Sequence, residues 1–411
     1  MHGLVVVDRN LEPLRPAIIW CDSRAVETGE RLFAKAGKER ALASLLNSPG
    51  NFTFSKLLWM QENEPEVYEK IYKFMLPGDY IAMKLSGEPQ TTISGLSEGI
   101  MWNFVKHEPA AFLFEAAGIG TELIPTLTPN FGIQCRLSER VASELGLTPG
   151  IPISYRAGDQ PNNAFALGLL NPGEAAANAG TSGVVYGISD QLKYDPESRV
   201  NTFAHVNHTI RNTRLGVLLC INGTGIANSW FRRFSGVASF ETMNQEARQA
   251  APGSGGLLFL PFGNGAERML GNRITGARLD HLDFNRHTRG DVFRTIQEGI
   301  ACAFRYGIEI MKETGVDVNV IQAGQANLFQ SDVFAQSLSE LTRAEIHLFD
   351  TDGSLGAARG AALGAGLYAS EDECFSGLKK IRSFAPSPGN STIYDDLYGE
   401  WKQALNLKLF I

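Results

Sequence analysis

Apolar positions recur along the chain with two different periods. Short runs bounded by Gly, Pro, Asp or Asn read as strands: LVVVD near the start, IPISY, EAAANA followed by GVVYGIS, GLLFL and VNVIQ. AIIW at 17–20 fits a second strand after the first. Longer stretches with apolar residues three and four apart read as helices. These are AVETGERLFAKAG, FSKLLWMQENEPEVYEKIYKFM interrupted at Pro65, GDVFRTIQEGIACAFRYGIEIMKETG, FQSDVFAQSLSELT and the small-residue segment LGAARGAALGAGLYA. LPGDYIAMKLSGE adds a turn and a short helix. Strands that alternate with helices make an α/β protein. At 411 residues the chain is long enough for two domains. A change of texture places their boundary near residue 168, giving domains 1–168 and 169–411 with a cleft between them.

Composition narrows the class of function. Thirty-seven basic and forty-four acidic residues give a net charge of −7, and neither sign forms a long run, so a phosphate-tracking nucleic-acid surface is not expected. The five cysteines are scattered and never form a Cys-x-x-Cys pair, which fits reduced thiols rather than a disulfide framework or zinc site. No apolar run reaches the roughly 18 residues of a membrane span, and the start lacks the pattern of a signal peptide. A cytoplasmic protein without a membrane partner is the expectation.

Several motifs are missing. There is no G-x-G-x-x-G fingerprint, no Walker phosphate loop, no H-E-x-x-H and no G-x-S-x-G elbow. What remains is AGDQPNNAFALG, in which Asp159 follows an apolar strand and precedes a helix that Pro161 helps to start. A carboxylate there can take a proton from a substrate hydroxyl, and the same residue also fits a plain helix cap. In ANAGTSGVVYG, residues Gly180 to Gly183 form a turn between two strands, where successive N–H groups and hydroxyls can face one anion; an ordinary hairpin fits as well. In VIQAGQANLFQSD, Gly324 stands at a strand end, and DTDGSLGAARGAALGAG follows with glycines that would let main chain approach a flat ligand such as adenine. His205 and His208 have a metal-compatible spacing but no third ligand nearby in sequence, so a structural role is expected and no metal ligands are assigned.

In this order, with FSKLLWMQEN upstream, these segments resemble the FGGY family of carbohydrate kinases. MHGLVVVD and LRPAIIWCDSR look like the Q-M-H-G strand and W-x-D-x-R segment of its xylulokinase branch. The resemblance implies the two-lobed fold of actin, the heat-shock chaperones and hexokinase (ribonuclease H-like), with a sugar-binding lobe over 1–168 and a nucleotide-binding lobe over 169–411. It implies ATP with Mg2+ as cofactors, D-xylulose as the sugar phosphorylated at its 5-hydroxyl, and room for a homodimer. Met1, His2, Asp159 and Gln160 fall on sugar-contact positions, with Asp159 the catalytic base. Gly180, Thr181 and Ser182 fall on a phosphate loop, and Gly324, Gln325 and Asn327 on the nucleotide segment. Gln325, Ala326 and His281 depart from the family pattern, His281 standing where a glycine is usual. The family's opening D-x-G-T-x-S hairpin has no counterpart here, so an N-terminally shortened kinase is expected, its first lobe incomplete and strand LVVVD left with an unpaired edge. Another ketose or polyol as substrate, or a non-catalytic sugar-binding remnant, are the alternatives.

Overall fold

A computed structural model describes residues 1–409 of the 411. The chain forms two compact units, each assembled from three separate stretches. Met1–Leu170, Asp190–Gly216 and Asp352–Gly377 make the first; Asn171–Ser189, Val217–Thr351 and the stretch from Leu378 on make the second.

The elements that position the sites are, in chain order, strand β1 (Val5–Val7), helices α1 (Val26–Ala36) and α2 (Thr53–Asn63), strand β2 (Lys73–Met75), helices α3 (Pro77–Ser86) and α4 (Ile93–Glu98), strand β3 (Pro152–Tyr155) and helix α5 (Asp159–Ala166). Strands β4 (Glu174–Ala179), β5 (Gly183–Ser189) and β6 (Leu215–Ile221) follow, then helices α6 (Gly225–Phe234) and α7 (Arg289–Glu313), strand β7 (Val320–Gly324), helix α8 (Asp332–Thr342), strand β8 (Glu345–Phe349), helix α9 (Gly353–Gly364), strand β9 (Lys380–Phe384) and helix α10 (Ser391–Leu409).

In the first unit the three valines of β1 are buried and pair antiparallel with β2, Val6 opposite Phe74. The expected unpaired edge is not found. Residues 12–18 return along the other side of β1, with Leu4 and Ile18 exchanging main-chain hydrogen bonds at 2.9 and 3.0 Å and Leu14 N donating to Val6 O at 3.0 Å. AIIW is correspondingly not a strand: only Ile18 pairs, while Ile19 and Trp20 turn into solvent. The helix expected to run through KIYKFM also stops early. Glu64 precedes a proline and is held out of helical backbone, and Lys73–Met75 become β2 instead.

The small-residue helix α9 belongs to this unit, where its glycines serve packing, not the approach of a flat ligand. Gly356, Gly360 and Gly364 recur every fourth residue and so share one face. A Cβ on them would lie 2.6 Å from Ala166 Cβ, 2.6 Å from the Tyr155 ring and 2.0 Å from Ser154 O. Their absent side chains let α9 lie directly on α5 and β3.

In the second unit six strands stand in the order β6-β5-β4-β7-β8-β9. β4 and β5 are an antiparallel hairpin, β7 runs parallel to both β4 and β8, and β9 closes the sheet antiparallel to β8. Parallel pairing brings the C-terminal ends of β4 and β7 to one edge. The turn at 180–182 and the segment after Gly324 therefore emerge together, at the edge where α/β sheets bind ligands. Helix α7 starts at a capping box, with Thr288 and Asp291 each accepting from the other's main chain, and buries Phe293, Ile296, Ile300 and Phe304.

Candidate active site

In the first unit a cavity lies where β3 gives way to α5. It is lined by Met1, Pro77, Asp79, Thr92, Ser94, Glu98, Arg156, Gly158 and Asp159, among others. Asp159 is the first residue of α5, but Gly158 holds the cap position and no side chain caps the helix. The carboxylate thus remains available instead of being spent on its own helix. It is exposed, with Oδ1 3.2 Å from the Met1 nitrogen and Oδ2 accepting from Gln160 Nε2 at 3.0 Å. Partial burial works to raise its pKa, yet the Met1 amino group and these hydrogen bonds outweigh that and hold it below the usual aspartate value. Near neutrality it is ionised and can accept a proton.

His2 is in the left-handed region at φ 59, a conformation rare for a residue with a side chain. Two interactions hold it there. Buried Lys56 donates to the His2 carbonyl at 3.0 Å and to Asn51 O at 2.9 Å, and the ring packs edge-on to Phe52 with centroids 4.7 Å apart. Burial lowers the His2 pKa to about 3, so the ring is neutral. Its Nδ1 lies 3.0 Å from the Glu98 carbonyl, which can only accept; Nδ1 therefore carries the hydrogen and Nε2 is left as an acceptor. Met1, His2, Asp159 and Gln160 are thus gathered in one region of this unit.

Sequence reasoning missed the charged wall behind Asp159. Asp79 and Arg156 form a buried ion pair at 3.2 Å, with Arg156 Nε donating to Gln134 Oε1 at 2.9 Å and Thr91 donating to Asp79 at 2.8 Å. Glu98, the last residue of α4, is 1% exposed, and its Oε1 accepts from Gly158 N at 3.2 Å. In the fold a glycine marks the contact. Gly158 has ordinary extended backbone (φ −66°), so no turn requires a glycine there; a Cβ would lie 2.4 and 2.5 Å from the two Glu98 oxygens.

The second unit has a larger cavity, about 330 Å³ against about 80 Å³ for the first. Its lining includes Gly180, Thr181, Gly225, Asn228, Asn244 and Asn327. The turn is fixed to α6: Gly225 N donates to Gly180 O at 2.8 Å, Thr224 Oγ1 donates to the same oxygen at 3.0 Å, and Ile226 N donates to Thr181 O at 3.2 Å. Gly225 permits this approach, because a Cβ there would lie 2.2 Å from Gly180 O. Asn327, at φ 55, donates through Nδ2 to Asn178 Oδ1 at 3.3 Å. Gly180, Thr181 and Asn327 are therefore brought together. Ser182, Gly324 and Gln325 stand outside the lining: Gly324 ends β7, and Gln325 N donates to Phe349 O at 3.2 Å. The donor set is neutral amide and hydroxyl at a helix N-terminus, which suits a polyanionic ligand.

The other candidates have structural partners. His205 Nε2 lies 3.0 Å from Leu169 O and Arg214 N donates to His208 Nδ1 at 3.2 Å, both rings being buried. Among the described residues no group of three His, Cys, Asp or Glu is placed to hold a metal ion, and no helix is long and apolar enough to cross a membrane. Asp22 and Arg24 pair at 2.7 Å, and the guanidinium sits over Trp59. His281 occupies φ 65, where glycine is the least strained residue, which accounts for its being a departure.

Comparison with known proteins gives a consistent set of matches. The N-terminal domain model of the FGGY family of carbohydrate kinases matches residues 1–166, and the family's C-terminal domain model matches 175–369. A xylulose kinase of Bacillus subtilis is 27% identical over 416 residues, taking in 98% of this chain and 80% of the relative. Among solved structures, the xylulose kinase from Rhodospirillum rubrum superposes with a TM-score of 0.88 at 25% identity, covering 99% of this chain and 82% of that one. The gluconate kinase from Lactobacillus acidophilus also gives 0.88, at 21% identity, over 100% of this chain and 83% of that one. Two proteins with different sugars in their names thus share this fold equally well.

Proposed function

The chain belongs to the FGGY family of carbohydrate kinases, and from that premise we propose that it phosphorylates D-xylulose at its 5-hydroxyl with ATP. The observation that carries this reading is Asp159: an ionised, exposed carboxylate at a strand-to-helix junction, left free by a cap that uses glycine. Asp159 takes the proton of the attacking hydroxyl and holds the oxygen in line. Such a base contributes typically about 10² to 10⁴-fold. His2, with Nε2 as acceptor, and Gln160 orient the remaining hydroxyls, and Met1 supplies an apolar contact.

The second cavity suits the nucleotide by size and by its neutral donors. Thr181 and the main-chain N–H groups of Gly180 and Thr181 would cradle the phosphates, and Asn327 the nucleoside side. Magnesium ATP supplies the transferable γ-phosphoryl group and neutralises part of its charge. A cytoplasmic enzyme of sugar metabolism is the setting this reading fits.

The test is ADP release by the purified 411-residue chain with D-xylulose, run beside other ketoses, polyols and aldonates. D-xylulose should give the highest kcat/KM, and Asp159→Asn should lower kcat by about 10² to 10⁴ while calorimetry still detects the sugar. Unchanged kcat in that variant would remove the proposed base, and a better substrate in the panel would replace D-xylulose.

A further inference from the structure

Glu98 is the one carboxyl group of the first cavity whose use the reaction leaves unexplained. Asp79 is satisfied by Arg156 and Thr91, and Asp159 is the proposed base. Glu98 is almost completely buried, yet it lines the cavity together with Asp159. It also connects the two segments that carry the proposed sugar contacts. Its carbonyl fixes the His2 ring at 3.0 Å, and its carboxyl receives the Gly158 N–H at 3.2 Å, one residue before Asp159.

We infer that Glu98 is a specificity-determining residue of the sugar site: one oxygen anchors the Gly158–Asp159 junction, and the other, carrying a hydrogen, donates to a substrate oxygen beside the hydroxyl that Asp159 deprotonates. The inference rests on the kinase reading above and assigns the chemistry of its substrate. A carboxylate and a carboxylic acid side by side present one acceptor and one donor. They match a substrate with a hydroxyl to give up its proton and a neighbouring hydroxyl or carbonyl oxygen to receive one.

Geometry and charge agree on the protonated form. A buried carboxylate beside the Asp159 and Asp79 carboxylates would concentrate like charge, and burial, the larger effect, raises the Glu98 pKa from 4.5 to about 8. The groups facing it are the Met1 amino group, Asp159 on α5, Asp79 on α3, the neutral His2, Tyr155 on β3 and Arg156. The amino group pulls the other way and does not overcome burial. A group neutral at pH 7 and ionised above about pH 8 loses its donor hydrogen with rising pH. Substrate binding should therefore weaken on the alkaline side.

Glutamine is the informative replacement, since its carbonyl can receive the Gly158 N–H while its amide donates as the acid does. Calorimetric Kd and steady-state KM for D-xylulose should be measured from pH 6 to 9.5 on the wild type, Glu98→Gln and Glu98→Leu, with thermal melts as a check on folding. The wild type should weaken by about tenfold per pH unit above pH 8. Glu98→Gln should bind within about threefold of the wild type at pH 7 and show no alkaline loss, and Glu98→Leu should bind at least about tenfold more weakly than the wild type at pH 7, with no further loss on the alkaline side. A Glu98→Gln variant as impaired as Glu98→Leu, or a wild type whose binding is flat through pH 9.5, overturns the inference while leaving the kinase reading standing. A wild type that binds and phosphorylates no sugar of the panel removes both.

Discussion

At the scale of single residues, the site depends on what a glycine omits. Gly158 leaves the volume that the Glu98 carboxyl fills, so the two positions should be energetically coupled. Gly158→Ala is expected to destabilise the protein by about 1–3 kcal/mol through overpacking. The same substitution in a Glu98→Ala background should cost less, because the two oxygens 2.4 and 2.5 Å from the new methyl are gone and only Met1 Cγ, at 2.5 Å on a flexible side chain, still crowds it. Urea denaturation of the four proteins of this cycle measures the coupling, and additive effects would show that the crowding is relieved elsewhere. Asp159 could be found in the sequence because strand, glycine, aspartate and helix follow one another there. Glu98 could not: an isolated acidic residue in TTISGLSEGI carries no sign that its neighbours will enclose it.

Among the elements, glycines inside helices separate two physical effects that sequence alone confuses. Gly364 in α9 and Gly399 in α10 are both helical, but a methyl on Gly364 would meet the Ser154 main-chain oxygen at 2.0 Å, whereas around Gly399 nothing lies within 4 Å. Main chain cannot swing aside as a side chain can. Gly364→Ala should therefore lower stability by at least about 1–3 kcal/mol despite better helix propensity, and Gly399→Ala should raise it by about 1 kcal/mol. Thermal melts of the pair decide; a stabilised Gly364→Ala would mean that α9 does not lie on β3. The hairpin at 174–189 and the 25-residue α7 were legible, since alternation and 3.6-residue periodicity survive folding unchanged. The seat of α9 was not, because close approach to a ligand and close approach to a neighbouring helix demand the same small residues. Nor was the end of the AIIW pattern: four apolar residues read as a buried strand, but Ile19 and Trp20 are 54% and 69% exposed.

For the molecule as a whole, buried histidines set an acid limit on stability. Burial holds His205 and His208 neutral and lowers each pKa from 6.5 to about 4. Between those values the unfolded chain binds a proton that the folded chain does not, so the share of stability these two rings contribute is complete above about pH 6.5 and is lost as pH drops toward 4. Each such histidine steepens the fall by up to about 1.4 kcal/mol per pH unit. His205→Gln keeps a donor for Leu169 O and should flatten the dependence between pH 6 and 4.5 by about one proton, as read from urea midpoints at several pH values. An unchanged slope would mean that the ring is already protonated in the fold.

The threading of the chain has a consequence for its birth on the ribosome. The platform of β3 and α5 emerges early, but the helix that covers it is translated after roughly two hundred more residues, most of which belong to the other unit. At about 5 to 20 residues per second, that interval is on the order of 10 to 40 s. Throughout it the aromatic face of Tyr155 and Phe165 waits uncovered, which makes the nascent first unit a natural client for chaperones that shield apolar surface.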